Sequence, residues 1–588
     1  MNSTAPPASL PQLGRIVLIA IFLIALLARL AVVWQSSSHD YHRYLVLDAA
    51  TYHRIAIEGD PRGPFWQPPL YPWFLRGIYA LAGEPDPRAA RVVQSLGGAL
   101  VAVLVAICVS RLAARRWAIG AGLGTALYGP LIAYDTELLP ASLAALLSTL
   151  LLTLLTAPPT SSPRWMRWRL PLTGLLLGAM GLLLPAFAFA GALLLIWLWR
   201  LEGFRRALLV ATLAVVVIAP VTIRNWQREP DLVAISYNGG VNLWIGNNPD
   251  YPRTVAIRPG IEWGHLVEQP RCEGGARTSA QESAWFSKQV RRFAREHPVD
   301  FVTQLARKLA ASVSIYEIGR NRDDYDAREE SLLMRLLLQR WGWPFLLLLP
   351  LAAAGVCASL RHRALSWPAF YLTLGVLLAA VLFFPSARYR IPALPAMIIL
   401  AAAGLPRVSK RDWLVAAGAL ALGLIPAGIP PIPPAETLYA IGIDRDQAGD
   451  SQAASSFYER ALTLAPDNAD LHLALGLALS KLGREDEGRT HLERAVVLQP
   501  NADVAWQGLG LYWMRHRDWD RARAAFERGV AADRCNQRLR ASFAMALIDQ
   551  GYLNEARRQL DEARRLYPKP DGRVAEAERR LDAIMPRK

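Results

Sequence analysis

The side chains best placed to do chemistry fall in four short stretches. Asp48, in Asp48-Ala49-Ala50-Thr51-Tyr52-His53, follows the first apolar run and precedes Pro68-Pro69-Leu70-Tyr71-Pro72. A carboxylate beside aromatic and proline-rich chain can take a proton from an attacking hydroxyl or amine; the plainer reading is a helix N-cap. Tyr134-Asp135-Thr136-Glu137 offers two acids that can hold a cation or position a hydroxyl, or simply cap the next helix. Phe383-Phe384-Pro385-Ser386-Ala387-Arg388-Tyr389-Arg390-Ile391-Pro392 sets two guanidiniums at the start of an apolar helix. Arginine grips phosphate through a planar fork of donors, although such side chains also anchor helices by snorkelling. Arg224 and Asn225 leave another apolar run and lead into Asn238-Gly239-Gly240-Val241-Asn242-Leu243-Trp244-Ile245-Gly246-Asn247-Asn248. Arg224 is a second phosphate candidate, and glycine with asparagine lets backbone amides approach a polar ligand or makes a plain turn.

These stretches must be positioned by apolar helices. About eleven runs approach the roughly 20 residues needed to cross a bilayer, near 16–34, 89–110, 118–134, 138–156, 170–184, 186–200, 206–223, 343–360, 365–384, 391–405 and 412–430. Cationic clusters follow alternate runs: Arg111, Arg115 and Arg116; Arg164, Arg167 and Arg169; Arg200, Arg205 and Arg206; Arg361 and Arg363; Arg407, Lys410 and Arg411. The positive-inside rule makes those loops cytoplasmic. Loops of about 35–88 and 224–340, the turns at Asp135 and Arg388, and everything after 430 are then expected on the outer face. Phe65 to Ala80 carries three prolines and Arg76, which predicts an interfacial helix in place of a span. Arg29, inside the first run, either snorkels or faces the site.

Composition agrees with two regimes. The 588 residues are 53% hydrophobic with 19 Trp, yet 19% are charged, and 65 Lys+Arg against 49 Asp+Glu give a formal charge of +16. Membrane topology accounts for most of that excess, so no nucleic-acid partner is expected. No glycine-rich phosphate loop or dinucleotide motif is present, and no nucleotide cofactor is expected. His39, His42 and His53 form an irregular trio without cysteine, which is poor zinc ligation. A divalent cation is compatible with the acids but has no clear site. Cys272 and Cys535 both fall on the expected outer side, where a disulfide is chemically allowed, but sequence cannot supply the proximity a bridge needs.

Beyond the proline-rich linker 431–434, residues 435–572 repeat with a period of 34. Gly442, Gly476, Gly510 and Ala544 keep that spacing, as do Ala454, Gly488, Ala522 and Ala556, and Tyr458, Leu492, Phe526 and Leu560. Small residues recur where paired helices approach and large ones where the pair fills its core. The pattern resembles the tetratricopeptide repeat, best in Trp506, Leu509, Gly510, Ala522 and Phe526. Pro466, Pro500 and Pro568 close their repeats, and residues 573–588 are expected as a tail. Such solenoids present concave surfaces that dock a peptide or partner protein, though this one can instead pack on its own chain.

Residues of about 12–430 resemble polytopic glycosyltransferases of the type C fold, family 39 and the lipid A aminoarabinose transferases. The resemblance rests on the Asp48 loop with Pro68-Pro69-Leu70-Tyr71-Pro72, the Ile223-Arg224-Asn225 exit and Arg388-Tyr389-Arg390-Ile391-Pro392. It implies an all-α membrane bundle, a polyprenyl-phosphate sugar donor and transfer on the outer face of a bacterial inner membrane. Asp48 would be the base, Arg388, Arg390 and Arg224 the donor-phosphate ligands, and Tyr52, His53, Tyr71, Asp135, Glu137, Tyr389 and Asn225 further contacts to substrate or cation. Many relatives place Glu after the loop Asp, whereas this chain has Ala49, which leaves Asp48 alone as base. A lipid-linked oligosaccharide ligase or polymerase is an alternative, as is a non-enzymatic scaffold or transporter.

Overall fold

The computed structural model describes residues 13–157, 163–566 and 572–585. Among these every regular element is helical, and the chain divides into two compact units.

The first unit comprises residues up to Arg43, Asp48–Val255 and Val290–Pro431. Among the described residues, five of its helices are long and apolar enough to cross a membrane: Arg15–Ser36, Pro87–Ser110, Pro185–Glu202, Phe204–Arg228 and Ala387–Arg407. Pro140–Leu155, Phe345–Arg361 and Trp367–Leu382 are apolar but shorter. The expected eleven therefore reduce to five of full length, because sliding apolar windows run across chain breaks. The 118–134 window is cut at Tyr128 into Arg115–Ala126 and Gly129–Thr136, with Pro130 opening the second helix. The 412–430 window holds only Lys410–Gly423 before the backbone leaves the helix. Residues 170–184 belong to Pro163–Leu183, whose N-terminal half carries arginines. Leu70–Ala82, at 13 residues, is too short to span, as its prolines predict. Arg15–Ser36 packs Ala28 and Val32 against Ile132, Tyr325, Met334 and Leu338, joining the Asp135 turn to the long 224–340 loop.

The second unit gathers three separate segments, Tyr44–Leu47, Ala256–Gln289 and Ile432–Lys588. Four helix pairs follow the 34-residue period, with Ala469–Lys481, Asp503–Arg515 and Gln537–Asp549 opening the later three. A side chain at Gly510 would press into the Phe526 ring at 2.7–2.8 Å, which explains the small residue there. Residues 573–585 are not a tail: the helix Gly572–Ile584 buries Val574, Ala577 and Leu581 with Leu560 and Ala563 and so covers the last pair. Pro568 lies outside the described residues.

The repeats of this unit pack on a piece of their own chain. In the helix Ile261–Cys272, the Ile261 amide donates to Asp470 Oδ1 at 2.9 Å and its side chain joins the core of Leu473, Leu492 and Leu509. His265 Nε2 meets Asp503 Oδ1 at 2.9 Å, and Cys272 bridges to Cys535 with Cα atoms 5.5 Å apart. Tyr44 stands edge-on to Phe457 with Arg445 over its ring.

Candidate functional site

The loop after Arg15–Ser36 enters its helix through Leu47, whose φ of 53° is uncommon for a side chain of that size. Asp48 then occupies the first turn of Leu47–Glu58, where the helix dipole favours a carboxylate. Its Oδ1 accepts from Gln67 Nε2 at 2.8 Å, and its Oδ2 accepts from Arg388 Nη1 at 2.5 Å. Arg388 also donates to the Tyr389 hydroxyl at 3.0 Å and lies over that ring. Tyr52 is buried one turn beyond Asp48, edge-on to Tyr71, whose hydroxyl donates to Gln94 at 2.6 Å. Burial opposes ionisation of Asp48, but the charge and hydrogen bond of Arg388, with Arg320 and Gln67, outweigh it and hold the carboxyl below its usual range. Asp48 and Arg388 stand 340 residues apart in sequence.

Arg388 is fixed by three converging loop segments. The Ala387 amide donates to Ile318 O at 2.9 Å, and Ser386 Oγ donates to the same carbonyl. Buried Lys308 donates to Gly246 O at 2.9 Å, Asn247 Oδ1 at 2.7 Å and Phe383 O at 3.2 Å. A Cβ at Gly246 would overlap the Phe383 carbonyl, so glycine permits that approach. Lacking an acid partner in these bonds, Lys308 is pushed down by burial to about 7.

The other candidates are committed elsewhere. Arg390 donates to Ser314 O and Glu317 Oε2, each at 2.6 Å, and stacks over Phe345, so both faces of its fork are used. Arg224 donates to the Gly63 and Pro61 carbonyls over the Phe65 ring. Asn225 accepts from the Phe65 amide and donates to Val233 and Ile235 carbonyls. This pair staples the loop after Arg15–Ser36 to the segment after Phe204–Arg228 and offers no open fork to phosphate. Asp135 is buried against Arg29 at 2.6 Å and Ser142 at 2.5 Å, while Glu137 faces Arg322 at 2.8 Å. Each acid already holds a guanidinium, so the two do not form a shared cation site. Arg29 thus turns inward. His53 pairs with the Tyr79 hydroxyl and His42 with Glu330, which separates the suspected histidine trio.

Sequence reasoning passed over Gln67, Lys308 and the run Arg320-Asn321-Arg322-Asp323-Asp324. Asn321 Oδ1 lies 3.5 Å from Arg388, and Asp324 and Arg320 line the same small cavity as Arg388. A charged run in a long loop reads as solvated surface, and only its return to Arg388 reveals otherwise.

Residues 447–510 match the tetratricopeptide repeat family. Among solved structures, Pseudomonas aeruginosa pilF is 20% identical over 26% of this chain and 68% of its own, with a TM-score of 0.24. MamA AMB-1 is 26% identical over 26% of this chain and 82% of its own, at 0.22. YrrB, a TPR protein with an unusual peptide-binding site, is 23% identical over 25% and 75%, also at 0.22. No curated protein matches the chain. The C-terminal repeats are thus tetratricopeptide-like by sequence.

Proposed function

We propose that this chain is a membrane glycosyltransferase that moves a sugar from a polyprenyl-phosphate donor to a protein, glycolipid or glycan acceptor. The observation that carries the reading is the Asp48–Arg388 pair, a half-buried base and a phosphate-binding cation brought together from the two ends of the first unit. In the resting site each occupies the other. Donor phosphate takes the Arg388 fork, and Asp48 Oδ2 is released to accept a proton. The acceptor oxygen or nitrogen attacks the anomeric carbon, the bond from that carbon to phosphate breaks, and the configuration inverts. Asp48 takes the acceptor proton while Arg388 neutralises the departing polyprenyl phosphate, which needs no general acid. Departure of Arg388 also lets the Asp48 pKa rise, so the base strengthens when the donor is bound.

An outward face for the site and the repeats is part of the proposal. Its support is that Tyr44–Leu47, Ala256–Gln289 and Ile432–Lys588 build one body, which requires all three to lie on one side of a membrane. The Cys272–Cys535 bridge fits an oxidising compartment. A periplasm-only reporter fused after Ile584 should be active; a silent one would reverse the assignment.

The repeats favour a second reading, a scaffold that docks a protein partner. Mass analysis of envelope glycans, glycolipids and proteins, with wild type or Asp48→Asn restored to a deletion strain, separates the two. An enzyme loses a sugar from its acceptor in both the deletion and the variant. Restoration by the variant would favour the scaffold, and an altered chain length of a lipid-linked glycan would favour a ligase or polymerase.

A further inference from the structure

The helix Ile261–Cys272 brings one histidine to two acids of the third repeat. His265 Nε2 stands 2.9 Å from Asp503 Oδ1 and 4.0 Å from Asp533 Oδ2, and the three atoms lie within 4.8 Å of one another. One proton on Nε2 can bond to the nearer oxygen only, because the farther one is beyond hydrogen-bond range. Each acid is held from behind by its other oxygen: Asp503 Oδ2 accepts from Asn536 Nδ2 at 2.6 Å, and Asp533 Oδ1 accepts from the Cys535 amide at 2.7 Å. The two remaining oxygens are thereby turned toward the same ring nitrogen.

Charge makes this arrangement costly as a plain contact. The Asp503 and Asp533 side chains are only 3% and 11% exposed, and among the described residues no lysine or arginine forms an ion pair with either. Arg540, whose charge reaches Asp533, spends its donors on the Arg534 carbonyl and Gln559. Even a protonated His265 therefore leaves the cluster with excess negative charge. Asp503 is helped by its place in the first turn of Asp503–Arg515, but Asp533 follows the last turn of Trp519–Ala532, where the helix dipole disfavours a carboxylate. Buried charges are paired or coordinate a metal. The repeat fold itself does not require these acids: Ala435, Ala469 and Gln537 stand at the position of Asp503, and Ala465, Gln499 and Tyr567 at that of Asp533. Both belong only to the repeat that meets His265.

We propose that His265, Asp503 and Asp533 bind a divalent transition cation of the zinc class, which fastens the helix Ile261–Cys272 to the repeats. Zinc bonds to imidazole nitrogen and carboxylate oxygen run about 2.0–2.2 Å, so the ligand atoms of a tetrahedral site stand about 3.4 Å apart. The separations of 2.9 and 4.0 Å bracket that spacing. Three protein ligands leave a fourth position to water. Asn536 and the Cys535 amide act as the outer partners that orient the two carboxylates. Without the cation, His265 keeps only its bond to Asp503. The proposal is independent of the transferase reading, since every residue in it lies in the second unit.

The test is calorimetric titration of zinc into the chelator-treated full chain in nanodiscs, with calcium as a second probe. Thiol reductant is left out, so the Cys272–Cys535 bridge stays closed and offers no thiolate to the metal. Wild type should take up an equivalent of zinc and melt at a higher temperature with zinc than without it. Asp533→Asn keeps an oxygen for the Cys535 amide and leaves the His265–Asp503 bond in place, so it should fold as wild type does. It removes a charged ligand, and affinity for that equivalent should fall by more than about tenfold, the least that loss of an outer partner costs. His265→Gln should lose the same equivalent, and zinc should no longer raise the melting temperature of either variant. Asp470→Asn weakens the bond to the Ile261 amide on the same helix without touching the cluster, and should bind zinc as wild type does. No zinc uptake by wild type, unchanged affinity in Asp533→Asn or His265→Gln, or an equal loss in Asp470→Asn would overturn the proposal. Tighter binding of calcium than of zinc would overturn the class of cation.

Discussion

Replacing Asp48 by Asn should separate donor binding from chemistry. The amide keeps the side-chain shape and an oxygen that can still accept one bond, but it has no charge to hold Arg388 at 2.5 Å and no capacity to take a proton. Loss of a general base lowers turnover by about 10²–10⁴-fold, or about 2.7–5.5 kcal/mol in the barrier. Removing the ionised partner of Arg388 also forfeits a charge-assisted bond worth about 1.5–3 kcal/mol in the resting protein. That second loss acts in an informative direction, because the resting pair competes with phosphate for the same guanidinium. Freed of the competitor, Arg388 should hold the donor as well as or better than before. The assay is transfer from a panel of polyprenyl-phosphate monosaccharides by the full chain in nanodiscs, with product mass as readout and a thermal melt as folding control. The expected signature is a kcat reduced by two to four orders of magnitude with a donor KM equal to or below wild type. Turnover within about threefold of wild type, or a loss confined to KM, would refute Asp48 as the base.

Arg388→Lys should raise donor KM and lower kcat although charge is retained, since an ammonium cannot reproduce the planar fork; equal kinetics would reduce Arg388 to a structural partner of Asp48. Lys308→Met should cost about 2–4 kcal/mol by stranding buried carbonyls at Gly246 and Phe383, read as a lower melting temperature with reduced donor binding. Because the folded-state pKa of Lys308 is depressed to about 7, the unfolded chain binds more protons above that value. Wild-type stability should therefore gain from this lysine as pH rises from about 7 toward about 10, and the methionine variant should lack that gain. His265 has its pKa raised, first by the hydrogen bond to Asp503. Its contribution is thus full below the ordinary histidine range and disappears as pH rises through the elevated value. In Cys272→Ser, protection from hydrogen exchange across Ile261–Cys272, taken relative to the intrinsic rate at each pH, should be greater at about pH 6 than at about pH 8; equal protection at both would remove His265 as a fastener.

The repeats were legible because one physical constraint recurs every 34 residues: paired helices need small side chains at the crossing, as the Phe526 ring against Gly510 illustrates. Length and apolarity were legible for Arg15–Ser36 and Pro87–Ser110, but a hydropathy window cannot register a bend at Tyr128 or the early end of Lys410–Gly423. Asp48 and Arg388 were singled out separately, as a base and as a cation, while their meeting depends on packing across 340 residues. Arg390, Arg224 and Asp135 read as site groups because residue type does not reveal which partner already occupies each of them. Glu317, the carbonyls of Gly63 and Pro61, and Arg29 are those partners. A buried ion that has found its counter-ion within the fold is withdrawn from ligand chemistry, since breaking such a pair costs about 3–5 kcal/mol. Arg388 is the exception among the candidate arginines because its partner is the proposed base: in the proposed reaction, the exchange that frees its fork for the donor phosphate also frees the carboxylate that sugar transfer requires.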